Sequence, residues 1–410
     1  MMMSRQVVVI AVEGLGTQLL SPYGNSWAGT TSFGRLATEA IVLDNYWLNG
    51  LKQAEIYRQL IAPCNGNTAT LPHWCDEPGL RMKWLTDVAH QNTDELIAPI
   101  PWQRHVPKPN RGDEILDSTM GQIFEHVLKW FSTASDDSPE LLWLHSGGLT
   151  HAWDAPLELR ESFCEEDDPP PPEESEPPEF FVRDNDDLDR VTGWTQAAAA
   201  QLVLLDQCLG ALDVAIEERG WQESCLLIVM GTGGYSFGEH NYVGWKERQL
   251  WSETVQAPLI LRPGKQVPVT LHRHEIFQPE QLLPAVRFWL SGASLGEPNT
   301  EEKNTSGFMD DSGPQLPQDW PAERSIAVTK HDSQWLVRTP QWLFRQTAEE
   351  EPWQIYMQPD DRWCINDIAS RVAEVREAWM SYWPLLLEHW QKPFNTPIPP
   401  LPDELVQRNY

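Results

Sequence analysis

The sequence predicts an α/β protein built on a mostly parallel central sheet with helices on both faces, followed by a small C-terminal α+β subdomain. Three observations lead there. Val7–Val12 (VVVIAV) is an unbroken β-branched run of the kind buried on both faces of a parallel sheet. Trp194–Glu218 places Leu202, Leu205, Leu209, Leu212 and Ile216 at steps of three and four, which gives a helix one apolar face. The strand-like CLLIVM begins six residues after that helix, so strands and helices alternate as they do around a parallel sheet.

The elements follow in order. After Val7–Val12 comes a glycine-containing loop, Glu13-Gly14-Leu15-Gly16, then a short helix within SFGRLATEA and a second strand at IVLDN. Asp117–Phe131 is a helix candidate, and Leu141–His145 (LLWLH) reads as a third strand. Arg219-Gly220 closes the long helix with a basic residue and a C-terminal glycine. PLILRPG, Pro258–Gly264, is a further strand. WLVRTPQWLFRQ and WQIYMQP read as antiparallel strands joined by a turn, and a helix carrying Val372, Val375, Trp379 and Tyr382 follows. The chain therefore divides into a domain over 1–295, a linker over 296–324 rich in Pro, Gly, Asn, Asp and Ser, and a subdomain over 325–410. No internal repeat is present.

Composition narrows the function. The 410 residues include 30 Lys and Arg against 60 Asp and Glu, a formal charge of −30, which argues against a broad basic face for nucleic acid or an anionic membrane. A hydrophobic content of 41% with 21 tryptophans is that of a globular chain. The six cysteines form no CxxC pair, so a structural zinc knuckle is not expected. Cys208 and Cys225 fall in apolar patterns and read as core residues, and a Cys64–Cys75 bridge stays open. The first strand starts at Val7, so no signal peptide is expected. No apolar run approaches the roughly 18–20 residues of a spanning helix, and a cytoplasmic location is expected. Glu165–Glu179 (EEDDPPPPEESEPPE) holds eight acids, six prolines and one serine. It reads as an exposed, semi-extended insertion, either a solvated loop or a docking arm for a basic protein partner.

Chemistry in an open parallel sheet sits beyond the carboxyl ends of the strands. Three loops qualify: Glu13–Gly16, His145-Ser146-Gly147-Gly148 and Gly231–Gly234. The first lacks the third glycine of a dinucleotide fingerprint, and no GxxxxGK[ST] occurs.

Several ordered segments resemble the sulfatase family of the alkaline phosphatase-like superfamily. VVVIAVEGLGTQLLSPYGN with FGRLATEAIVLDN resembles its opening strand, loop, helix and second strand; LLWLHSGGLTHAWDAP resembles its third-strand segment. LIVMGTGGYSFGEH with VGWKERQLWSETVQAPLILRPG is similar to the strand that ends in Ser-Asp-His-Gly, the Gly-Glu-His after it and the next strand. WLVRTPQWLFRQ…IYMQPDDRWCINDIA is similar to the C-terminal subdomain. The resemblance implies an alkaline phosphatase-like sandwich. It also implies a divalent cation, usually calcium, on hard oxygen ligands, and a Cys or Ser nucleophile oxidised to formylglycine.

Against that pattern the chain departs. Two adjacent Asp of the family correspond to Glu13 and Gly14, so Glu13 is the residual metal-ligand candidate. The second ligand pair corresponds to Thr232 and Gly233. If Arg58 matches the motif arginine, Ala54 stands at the nucleophile, and no Cys, Ser or Thr lies between Tyr46 and Pro63. Lys246 resembles the sulfate-contacting lysine, and His145 and His151 fall in the segment of the catalytic histidine; these three are the residual catalytic candidates. Glu239 and His240 keep the Gly-Glu-His pattern and are expected to be structural, as is Asp206 on the long helix. The expectation is a sulfatase-like pseudoenzyme without a cofactor, holding calcium only if a residual site persists, and acting through a ligand or partner. The alternatives are an ester hydrolase with a remodelled site, drawing on Glu13, His145, His151, His240, Lys246 and Thr232, and a scaffold that uses the acidic insertion.

Overall fold

The computed structural model describes residues 4–61, 70–74, 79–88, 97, 100–108, 114–245, 249–264, 271–291, 324–390, 392 and 396–407. Cys64, Cys75, Lys246 and most of the expected linker lie outside them.

Eight strands make the central sheet: β1 Gln6–Val12, β2 Ile41–Tyr46, β3 Arg81–Thr86, β4 Trp102–Arg104, β5 Glu140–Ser146, β7 Cys225–Gly231, β10 Leu259–Arg262 and β11 Leu271–Phe277; β6 Phe180–Phe181, β8 Ser236–Phe237 and β9 Tyr242–Gly244 form a separate small antiparallel sheet. Their order is β11-β2-β10-β7-β1-β5-β3-β4, and β10 runs antiparallel to both its neighbours. All seven residues of β1 are buried, because both sheet faces are covered. Val7, Val9 and Ala11 point into a core shared with helices Gln53–Ile61 and Leu282–Leu290. Val8, Ile10 and Val12 point into a second core with helices Thr31–Ala37, Thr119–Phe131 and Asp189–Glu218.

Helix starts are secured across the fold. Thr31–Ala37 has no side-chain cap of its own; Asp206, on the long helix, accepts from Ser32 N at 2.9 Å and Phe33 N at 2.8 Å. Thr119–Phe131 is capped by Ser118 Oγ, which accepts from Gly121 N, and by Asp154, which accepts from Thr119 N at 2.7 Å.

Several expectations are corrected. LLWLH belongs to the fifth strand of the chain rather than the third, because RMKWLT and WQR form β3 and β4 near the sheet edge, where polar residues are tolerated. LHRHEIF forms β11 at the other edge. The long helix starts at Asp189 and is 30 residues long. Contrary to the expectation from sequence, an 18-residue window of it is apolar enough by length and composition to span a membrane; 61% of that window is buried inside the protein.

The C-terminal part forms a four-stranded antiparallel sheet, β12 Ala327–His331, β13 Gln334–Arg338, β14 Trp342–Gln346 and β15 Gln354–Met357, in chain order. Helix Ala373–Trp390 covers it through a core of its own, in which Trp379 stacks on Phe344 at 4.0 Å between ring centroids.

The acidic insertion departs from a freely solvated arm. Pro171 and Pro178 are buried, while six of its acids are exposed. The side chain of Arg160, itself buried, donates to the carbonyls of Pro172, Glu174 and Trp153. A proline-rich backbone has carbonyls but few N–H groups to offer, and a single guanidinium with five donors meets that need.

Candidate functional site at the ends of the central strands

The register of β1 brings three loops together. Val12 lies opposite Ser146 of β5 on one side and Gly231 of β7 on the other, so the chain leaves all three strands at one level. The loops then interlock: Glu13 N donates to Ser146 O at 2.9 Å, Leu149 N to Glu13 O at 3.0 Å and Thr232 N to Val12 O at 2.9 Å. This crossing depends on Gly148, whose φ is +47° and where a Cβ would stand 2.3 Å from Val12 Cγ1.

Glu13 is buried at that crossing, and both carboxylate oxygens are engaged. Oε1 lies 2.9 Å from His145 Nε2, and Oε2 accepts from Thr150 Oγ1 at 2.8 Å. Of the sequence candidates, the structure therefore joins Glu13 and His145 directly. The ring of Tyr57 lies 4.4 Å from that of His145. Burial first, then the nearby Glu13 carboxylate, hold the Tyr57 hydroxyl well above its usual range.

A second buried carboxylate stands beside this pair. Asp87, just past β3, accepts from Gly147 N at 2.8 Å and Ser146 Oγ at 3.1 Å. Burial raises its carboxyl above 3.8, against the lowering effect of those hydrogen bonds and of His151 and His145. The imidazole of His151 packs over Gly147, where a Cβ would fall 1.6 Å from its Nδ1, and that nitrogen is buried without a hydrogen-bond partner. Thr232 is fully buried; its hydroxyl has no partner, and its carbonyl accepts from Gln53 Nε2 at 2.5 Å. Gln53 opens the helix Gln53–Ile61, with Ala54 next in its first turn.

His240 is set elsewhere. Its Nδ1 lies 2.9 Å from Glu253 Oε1, and its ring stacks on Trp251 at 3.5 Å. Those contacts support the structural reading of the Gly-Glu-His frame. Asp206 likewise makes the structural hydrogen bonds expected of it.

Sequence reasoning missed Asp87, Thr150, Gln53 and Tyr57. Asp87 was within reach, as a carboxylate at the end of a strand, had RMKWLT been read as one. Thr150 and Gln53 act through pairings set by tertiary structure, which leave no local pattern.

The acidic insertion crosses above these loops. Ser175 O accepts from Trp153 N, Pro178 O accepts from the Tyr235 hydroxyl, and Glu179 meets Tyr242 Oη and Trp245 N. A cavity of about 350 Å³ remains, lined by Thr150, His151, Ala152, Ser175, Glu176, Pro177 and Trp245.

A divalent cation such as calcium takes six to eight oxygen donors. At the crossing Glu13 has both oxygens engaged, and Gly14, Thr232 and Gly233 carry no carboxylate. Among the described residues no three His, Cys, Asp or Glu side chains gather as a metal-binding group. This donor set does not fit calcium.

The open, mostly parallel sheet with helices on both faces and a small antiparallel C-terminal sheet matches the alkaline phosphatase-like fold. The chain resembles BT4656, solved with its substrate D-glucosamine-2-N,6-O-disulfate, at 14% identity and a TM-score of 0.70, over 97% of this chain and 100% of that one. It resembles the phosphonate monoester hydrolase of Agrobacterium radiobacter at 12% identity and a TM-score of 0.67, over 94% and 95% of the two chains. It resembles BT1596, a 2-O GAG sulfatase, at 13% identity and a TM-score of 0.66, over 94% and 92%. No family model matches the sequence. No curated protein matches it either. The chain thus has the fold of sulfatases and phosphonate monoester hydrolases.

Proposed function

We propose that this chain is a catalytically inactive protein on a sulfatase fold, acting by binding rather than by ester hydrolysis. The observation that carries the reading is the closure of Glu13 onto His145 and Thr150. The one carboxylate left at the expected metal position serves the fold as a hydrogen-bond acceptor. The start of helix Gln53–Ile61 agrees: an alanine methyl offers no nucleophile, and Gln53 is turned onto the backbone of Thr232. The insertion lying over the same loops agrees as well.

The test combines elemental analysis of the purified chain with an assay against an aryl sulfate, an aryl phosphate and a phosphonate monoester. The expected outcome is substoichiometric divalent metal and no turnover above buffer. Stoichiometric metal together with turnover that is lost in Glu13→Gln would overturn the proposal.

A second reading, an ester hydrolase with a remodelled centre, has one observation in its favour. His151 Nδ1 is unpartnered, and His151 lines the cavity under the insertion. Turnover in the same assay that survives Glu13→Gln and vanishes in His151→Gln would establish it.

A further inference from the structure

A cleft of about 1220 Å³ lies away from the strand-end loops, between the β2–β11 edge of the central sheet and the C-terminal sheet. None of the Glu13, Asp87, His145 or His151 side chains lines it. In a chain of formal charge −30, four arginines line this one cleft, against the carboxylates of Asp44 and Glu275.

Two of the arginines are accounted for. Arg273 pairs with Glu275. Arg324 lies 2.7 Å from both Gln278 Oε1 and Glu280 Oε1. Asp44 is held by His272 Nδ1 at 2.9 Å and His274 Nδ1 at 2.8 Å. Arg338 and Arg362 remain. Arg362 donates to Thr17 Oγ1 at 2.7 Å and, among the described residues, has no carboxylate within ion-pair distance, though Asp44 acts on it from farther away.

Arg338 is the exceptional group. It ends β13, an interior strand held between β12 and β14, and only 4% of it is exposed. Its Nε and Nη1 are both buried, and among the described residues they have no hydrogen-bond partner. Burial lowers its pKa to about 10, so it is still a cation at neutral pH. A buried guanidinium with two unpartnered nitrogens is costly, and folded proteins tolerate such a group chiefly where a ligand supplies the missing acceptors. Guanidinium donors match tetrahedral oxyanions in pairs.

We infer that this cleft binds a ligand bearing a phosphate or sulfate group, with Arg338 and Arg362 as the anion contacts. The volume leaves room for an organic body beyond the oxyanion.

The experiment uses the full chain, with inorganic phosphate and inorganic sulfate as probes against sodium chloride at equal ionic strength. Thermal unfolding and calorimetric titration are the readouts. The wild type is expected to gain thermal stability with either oxyanion beyond the chloride control. Arg338→Met is expected to raise the ligand-free melting temperature, because an unpaired buried charge is gone. It should also weaken oxyanion binding at least tenfold. Arg362→Gln should weaken binding while leaving ligand-free stability close to wild type. A stronger response to phosphate assigns a phosphorylated ligand, and the reverse assigns a sulfated one. The inference is overturned if neither oxyanion outperforms chloride. It is also overturned if Arg338→Met melts below wild type while Arg362→Gln binds unchanged, since Arg338 would then be structural.

Discussion

Burial acts differently on the two acids, Glu13 and Asp87, at the ends of β1 and β3. Glu13 has two side-chain partners. Asp87 has its donors too, yet burial still pushes its carboxyl above 3.8. Such a group binds a proton more tightly folded than unfolded. Its contribution to stability is therefore full below 3.8 and is lost as pH rises through the elevated folded value. Asp87→Asn removes that loss. The stability of the variant relative to wild type is expected to grow as pH is raised from below 3.8 to neutral, read by urea unfolding at matched pH values. Parallel pH curves for the two proteins would refute it. Glu13 and His145 were legible in the sequence because each sits at the end of an unmistakable apolar strand. Asp87 was not, because RMKWLT, with Arg81 and Lys83 among its apolar residues, is too short and mixed to announce a strand.

At the scale of elements, periodicity served well wherever burial was complete. The VVVIAV and CLLIVM strands and the long helix needed nothing beyond their own pattern. The antiparallel course of β10 was invisible, since a strand buried on both faces reads the same in either direction. The acidic insertion misled for a related reason. Its composition describes its outward face correctly, but the ties that hold it come from Arg160, outside the segment. Arg160→Met keeps the length and removes the donors. It should destabilise the protein by about 1–3 kcal/mol, the cost of leaving buried acceptors unpaired. Amide hydrogen exchange should accelerate around 173–176 and at Trp153, whose N–H is bonded to Ser175 O. Unchanged exchange there would mean that the prolines alone hold the segment.

Among the described residues, two large cores lie back to back on the central sheet, a third lies under the C-terminal helix, and a small fourth gathers Ala155, Ala200 and Leu204. The third depends on aromatic packing: Trp379 is fully buried and touches Phe344, Trp353 and Trp383. Trp379→Ala should cost about 3–5 kcal/mol in chemical denaturation. A loss below about 1 kcal/mol would show that the helix contributes little to holding that sheet. At this scale the sequence was most informative, because the order of strands and helices is a global pattern that weak local identity does not erase.

The position of β1 also sets a timetable. Its partners are residues 140–146 on one side and 225–231 on the other, so Val7 meets Leu226 only after more than two hundred further residues exist. At about 5–20 residues per second of synthesis, that is an interval on the order of ten to forty seconds. Throughout it, one edge of the fully buried β1 strand waits for its partner. VVVIAV therefore keeps an open, aggregation-prone edge until β7 has been made, even after β5 can pair with its other side. Newly made chains should depend on holding factors in the cell far more than the finished fold does.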